Sequence, residues 1–274
     1  MTKLFIEDTT LTAIGDAIRE KTGGTDLISP SNMPSEISSI ETGGDTTQED
    51  GIVDGSLTEY ANDRVTQVND YVFYHKSSLT TVDLPKVTYV GEYGFDNCSK
   101  LENVNIPEVT TLKKSSFNQC TKLATVNFPL LKHAYSNAFS STSIATVNFP
   151  LLTYADDYCF SYCQKLANVN LPLLGSVHER TFQNCTALAS IDLPSITTIE
   201  KYGFYLSSAL EKLILRSETM VTLSATSALV GTPITSGTGY IYVPDDLVES
   251  YKSATNWSKY ADQIKPISEL EASA

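Results

Sequence analysis

Leu101-Glu102-Asn103-Val104-Asn105-Ile106-Pro107-Glu108-Val109-Thr110-Thr111-Leu112-Lys113-Lys114-Ser115-Ser116-Phe117-Asn118-Gln119-Cys120 fixes the architecture of this chain, because its spacing of Leu, Val, Pro, Phe and Cys keeps returning. The same pattern starts at Leu79, Leu123, Ile144, Leu166, Leu188 and Leu210, every 22 residues, with one residue deleted in the coil that begins at Leu123. A fixed period in the low twenties is the signature of a solenoid. Each coil is too small to bury its own apolar face, so a core forms only when coils stack.

Within the coil, the Phe position reads Phe73, Phe95, Phe117, Phe139, Phe160, Phe182 and Phe204, which uses seven of the ten phenylalanines. Stacked coils place these rings in one internal column, each worth about 1.5 to 3 kcal/mol on burial. The Val-x-Leu step before the proline predicts a short strand, with Val82, Val104, Val126, Val147, Val169 and Ile191 turned inward. Strand side chains alternate between faces, so the intervening residues point out. They form two ladders, Asp83, Asn105, Asn127, Asn148, Asn170 and Asp192 beside Thr81, Asn103, Thr125, Thr146, Asn168 and Ser190. The proline that follows (Pro85, Pro107, Pro129, Pro150, Pro172, Pro194) has no N–H to donate and ends every strand at one level.

Both ladders carry groups that donate and accept hydrogen bonds, which makes this outward face the candidate ligand-binding surface for a polar protein or a glycan. The plainer alternative is that the amides bond to one another up the stack and solvate the sheet. Tyr89, Tyr135, Tyr154 and Tyr202 are expected to add exposed stacking platforms.

Charge narrows the partner. The chain carries −13, but residues 1–60 hold twelve acids against three bases and residues 79–209 ten acids against nine bases. A near-neutral repeat lacks the basic footprint that phosphate neutralisation needs, so nucleic acid and anionic membrane surfaces are disfavoured. No apolar run approaches the roughly 20 residues of a membrane span, which argues against insertion. The N-terminal residues Met1 to Asp8 show no signal-peptide pattern, so the expected location is virion-associated or cytoplasmic, or the cell surface if a leader precedes this sequence.

Residues 1–40 are expected to form a small helical module, with Leu11, Ile14 and Ile18 on one face and Gly23-Gly24 as a stop. Residues 41–56, rich in Gly, Thr and acids, read as a flexible acidic linker. The solenoid follows over 57–232, opened by a degenerate coil in which Asn62 and Asp63 replace the Leu-Pro step. Residues 233–274 are expected to form a C-terminal cap: a strand at Tyr240, a proline stop at Pro244, a helix begun by Asp245 or Asp246, and further helical turns near Trp257.

Catalytic and metal chemistry finds little support in the sequence. Cys98, Cys120, Cys163 and Cys185 share one coil position, where stacking distance allows a disulfide, but buried thiols filling a repeat corner are the simpler reading. His75, His133 and His178 fall in different columns and find no partnering column of acids. Asp156 and Asp157, adjacent along the chain, are expected to face opposite ways. No phosphate loop, Ser-His-Asp set or His-Glu-x-x-His is present. The reading is therefore a non-enzymatic protein with no cofactor and no metal.

The coil resembles the BspA-type leucine-rich repeat, a class of bacterial surface and secreted proteins and some protist surface proteins, over roughly Leu57 to Ile267. Tyr242-Val-Pro-Asp-Asp-Leu-Val-Glu-Ser-Tyr-Lys252 with Asn256-Trp257 is similar to the usual C-terminal cap of that class. The resemblance implies a right-handed α+β solenoid and roles in adhesion and recognition. Separately, Leu11 to Gly24 with Met33-Pro-Ser-Glu-Ile37 resembles a module near the start of tail-associated structural proteins of phages and prophages of gut Gram-positive bacteria. That likeness implies attachment to a virion, or self-association, through residues 1–40. The alternatives are a conventional surface adhesin and a spacer or scaffold without a specific ligand.

Overall fold

The computed structural model describes residues 57–272. The helical module expected over 1–40 and the linker over 41–56 lie outside the described residues.

Each coil but the one that starts at Leu123 contributes a three- or four-residue strand from the Val-x-Leu step and a two-residue strand further on, the Leu123 coil supplying only the second, and all pairings are parallel. The first ladder holds β1 (Glu59–Ala61), β3 (Thr81–Asp83) and β5 (Asn103–Asn105), then β8 (Thr146–Asn148), β10 (Asn168–Asn170), β12 (Ser190–Leu193), β14 (Lys212–Leu215), β16 (Tyr240–Val243) and β17 (Ile264–Pro266). The second holds β2 (Gln67–Val68), β4 (Tyr89–Val90), β6 (Thr111–Leu112), β7 (His133–Ala134) and β9 (Tyr154–Ala155), then β11 (Ser176–Val177), β13 (Thr198–Ile199) and β15 (Thr222–Leu223). Register follows the repeat, with Thr81 opposite Asn103 and Asn168 opposite Thr146.

Packing between coils is carried by the Phe column. Consecutive rings from Phe73 to Phe117 stack 4.9 and 5.0 Å apart, those from Phe139 to Phe204 5.4 to 5.5 Å apart, and every pair is within 9° of parallel. The widest step, 6.0 Å, separates Phe117 from Phe139.

That widening accounts for one departure from the expected regularity. Thr125, Val126 and Asn127 form no strand, and the first ladder is interrupted between β5 and β8. In this coil and the next, Phe128 and Phe149 replace the Leu or Ile that normally precedes the proline. Phe128 packs 5.9 Å from Phe117 and 6.2 Å from Phe139, adding a second layer of rings beside the column. Parallel backbones bond at a spacing of roughly 4.8 Å. Rings that hold the coils farther apart at this edge leave the backbone of Thr125–Asn127 without ladder partners.

The one-residue deletion falls in the turn after Phe139. There Thr142 takes the place of the column cysteine, and its hydroxyl donates to the Phe139 carbonyl at 2.9 Å.

The Phe residues sit in a turn whose neighbours two positions before and after adopt left-handed backbone, as in Tyr93 (φ 55°) and Asn97 (φ 57°) around Phe95. For residues with a Cβ this conformation costs roughly 1 to 2 kcal/mol each. It is offset because the N–H groups of Tyr93, Phe95 and Asn97 all then donate to the next coil, to Lys114, Ser116 and Asn118 at 2.8 to 2.9 Å.

At the C-terminal end short elements follow the last coil and pack on it. After Pro244 come a 3-10 turn (Asp245–Leu247) and a helix (Val248–Ser253), joined by a short helix at Pro233–Ser236 and a last one at Ile267–Glu271. Buried Tyr251 and Trp257 clasp Val221 just before β15: the Val221 N–H donates to the Tyr251 hydroxyl at 2.7 Å and its carbonyl accepts from Trp257 Nε1 at 2.7 Å. Asn256 and Tyr260 donate in the same way to the carbonyls of Leu223 and Thr226. The edge of the first sheet is β17, which carries Lys265 and Pro266, two residues that discourage further strand pairing.

Candidate functional site

The outward rows lie where the sequence put them, but they are not uniform. Asn103, Thr125, Thr146, Asn168, Ser190, Asp83, Asn105, Asn127, Asn148 and Asn170 are exposed, whereas Thr81 and Asp192 are half-buried. Part of the row is self-satisfied: Asn105 Nδ2 donates to Asp83 Oδ1 at 2.7 Å, and Asn170 Nδ2 donates to Asn148 Oδ1 at 2.7 Å. Asp192 is drawn into the cap, where Arg216 bridges it at 2.8 Å to Glu271 at 3.2 Å. Among the described residues, the side chains of Asn103, Asn127 and Asn168 make no hydrogen bond within the chain, and Asn127 stands where the ladder is interrupted.

Three positions beyond Asn127, Asn148 and Asn170, just past each proline, Leu130, Leu151 and Leu173 are 43, 37 and 46% exposed. They share one coil position and make an apolar row on the rim of the polar face. The sequence reading passed over it. The Pro-Leu-Leu triplets at 129–131, 150–152 and 172–174 are its signal, because only the second leucine of each is buried.

A second constellation was missed outright. Asp156, His178 and Glu200 occupy one coil position, the first residue after β9, β11 and β13, so His178 does stand in a column with acids. His178 Nδ1 lies 3.2 Å from Glu200 Oε1. A ring nitrogen of His178 and one carboxylate oxygen each from Asp156 and Asp157 lie within 4.8 Å of one another, and all three residues are half-buried. Asp156 and Asp157 were expected to face opposite ways as strand residues, but β9 ends at Ala155 and the turn that follows brings both carboxylates to the same corner.

The surroundings split the two acids. Burial pushes the Asp156 carboxyl up, but bonds from the Ser136 hydroxyl at 2.6 Å, the Asp157 N–H and Tyr154, with the nearby His178, hold it below the usual carboxylate range. Asp157 is pushed above that range by burial and by the charge of Asp156, despite the Glu179 N–H that donates to its Oδ1 at 3.1 Å. Ser136 gives its hydroxyl to Asp156, so no Ser–His pair forms at this corner.

The repeat of period 22 with its internal Phe column and proline-ended parallel strands matches a family model, that of the BspA type leucine rich repeat region, in six copies over residues 56–167 and 153–231. The chain belongs to the BspA-type leucine-rich repeat family. No curated protein matches it. A leucine-rich repeat protein from Bacteroides ovatus ATCC 8483 is similar at 27% identity and TM-score 0.57, over 66% of this chain and 47% of that one, so this chain spans about half the length of that structure. The leucine-rich repeat protein of T. pallidum (21% identity, 64% of this chain and 76% of that one, TM-score 0.45) superposes loosely. So does a leucine rich cell surface protein from Faecalibacterium prausnitzii A2-165 (17% identity, 77% and 78%, TM-score 0.32).

The cysteines of this BspA-type stack serve the core. All five are free and buried. Four donate to the Phe carbonyl of the preceding coil: Cys98 to Phe73, Cys120 to Phe95, Cys163 to Phe139 and Cys185 to Phe160, at 3.0 to 3.2 Å. Ser207 makes the equivalent bond to Phe182 at 2.7 Å. Burial raises the Cys98 thiol to about 12 and the Cys163 thiol to about 11.

The aromatic platforms differ from those expected. Tyr89, Tyr135, Tyr154 and Tyr202 are half-buried, because Tyr135 and Tyr154 pack on each other at 5.7 Å and Arg180 lies 4.6 Å over Tyr202. The exposed tyrosines are Tyr71, Tyr74, Tyr162 and Tyr240, of which the first three belong to the Phe turn and not to the strand face. Among the described residues, no helix is long and apolar enough to cross a membrane.

Proposed function

We propose that this chain is a non-catalytic recognition module that binds a protein on a cell surface through the outward strand face of its solenoid. The observation that carries the reading is the pairing of unsatisfied amides with apolar contact area. Asn103, Asn127 and Asn168 keep their hydrogen-bonding capacity free, while Leu130, Leu151 and Leu173 form an exposed apolar row along the same face. Amides set beside burial-competent leucines suit a protein surface, whose interfaces combine an apolar centre with a polar rim. The near-neutral charge of residues 79–209 fits a partner recognised by shape and hydrogen bonding more than by steering.

The test presents the full chain to immobilised panels of purified bacterial and host surface proteins, with a glycan array in parallel. The expected result is a protein ligand whose affinity falls at least tenfold in Asn127→Ala and in Leu151→Glu, and is unchanged in Tyr162→Ala. A ligand lost with Tyr162→Ala and indifferent to the strand face overturns the reading, as does binding to glycans alone or to nothing.

A further inference from the structure

We propose that Asp156, Asp157 and His178 form a binding site for a first-row divalent transition-metal cation, at the corner shared by the coils that start at Ile144 and Leu166. The site is independent of the strand face, since it follows the short strands of the second ladder.

Three observations converge on it. The donor set is mixed, with two carboxylate oxygens and one imidazole nitrogen gathered within 4.8 Å, close enough for one ion to touch all three. Imidazole is what separates this corner from an ordinary acidic patch: oxygen-only clusters suit Ca²⁺ and Mg²⁺, whereas a nitrogen donor favours Zn²⁺ and its first-row neighbours. Each donor is also held by a partner outside the triad. Glu200 engages His178 at 3.2 Å, Ser136 engages Asp156 at 2.6 Å and the Glu179 N–H engages Asp157 at 3.1 Å. A carboxylate behind the ligating imidazole is the arrangement that orients metal-binding histidines.

Charge balance points the same way. The neighbouring cations are already used, since both Arg180 and Lys201 pair with Glu179. That leaves His178 as the basic group beside Asp156 and Asp157 on one side and Glu200 on the other. The second ladder divides here as well, between Ala155 and Ser176.

The experiment is a calorimetric titration of the full chain with Zn²⁺, Mn²⁺ and Ca²⁺ separately. One equivalent of Zn²⁺ is expected to bind, more tightly than Mn²⁺ and at least tenfold more tightly than Ca²⁺. Asp157→Asn, which keeps the acceptor for the Glu179 N–H but removes the charge, and His178→Gln should each weaken Zn²⁺ at least tenfold, while His133→Gln leaves it unchanged. Melting curves without metal establish that the variants are folded; if His178→Gln does not fold, Asp157→Asn decides. X-ray absorption of the Zn²⁺ complex should show nitrogen and oxygen ligands. Failure to bind one equivalent, parent-like binding by Asp157→Asn, equal affinity for Ca²⁺, or sulfur in the ligand sphere overturns the proposal.

Discussion

The Phe column and the strand ladders run side by side through the same coils, yet one is continuous and the others are not. Rings stack without a gap from Phe73 to Phe204, whereas the first ladder divides between β5 and β8 and the second between β9 and β11. The difference is one of tolerance. Apolar burial is non-directional, and the 6.0 Å step between Phe117 and Phe139 is still within stacking range. A backbone hydrogen bond weakens steeply once geometry drifts. Where Phe128 and Phe149 crowd the edge of the core, the ladder yields and the column holds.

The largest effect should come from the column itself. Phe139→Ala opens a ring-sized cavity at a fully buried position, and a loss of about 3 to 5 kcal/mol is expected in urea denaturation. Asn127→Ala, at the ladder gap, should cost less than about 0.5 kcal/mol. Equal costs would erase the contrast.

Next in size is the cap, where side chains take over the pairing that a further coil would have supplied. Trp257→Phe leaves the Val221 carbonyl buried without its donor, for an expected loss of about 1 to 3 kcal/mol.

Alkali probes the column from its thiol side. An unfolded thiol ionises near its ordinary value of 9.0, but the folded chain keeps Cys163 and Cys98 protonated to about 11 and about 12. Above pH 9 the unfolded state therefore sheds protons that the folded state retains. Stability contributed by these thiols is present below that pH and is lost as pH rises toward the folded values. The urea midpoint should be level from pH 7 to 8.5 and fall beyond 9, and the fall should shrink in Cys163→Ser. A midpoint that rises with alkali would contradict the buried thiols.

A subtler contrast comes from Phe128→Leu with Phe149→Leu, which restores the residue type of the other coils. The lost ring volume is offset where the coils can close on the smaller side chains, so the cost should stay at about 1 to 2 kcal/mol per site, below that of Phe139→Ala. Its informative readout is amide exchange at Thr125–Asn127, which should slow as the coils close. Unchanged exchange would remove the explanation given for the gap.

Much of this was legible from residues alone because repetition turns a weak local preference into a column. The Phe positions, the inward Val and Leu, the proline stops and Tyr240–Val243 fall where spacing places them. What escaped depended on size and on columns read across coils. Phe128 looks like one more apolar residue in a pattern, and only its bulk beside Phe117 reveals why Thr125–Asn127 form no strand. Asp156, His178 and Glu200 look scattered in a linear reading, although counting from each coil start gives all three the same position. The two-residue strands of the second ladder carry too few residues for alternation to show. The left-handed turn around each Phe is filled by Tyr, His, Ser, Asn, Gln, Arg and Leu without a glycine to mark it.

Hydrogen–deuterium exchange across the coil that starts at Leu123 tests most directly whether the aromatic column, and not the strand ladder, carries the stack through its irregular coil. The N–H groups of Asn137, Phe139 and Ser141 are bonded to the next coil at 2.9 to 3.0 Å, while those of Thr125 to Asn127 lie outside any strand. Peptides covering Thr125–Asn127 should exchange at least about 100-fold faster than those covering Asn137–Ser141, with protection of the latter close to global unfolding. Equal protection in the two segments would contradict it.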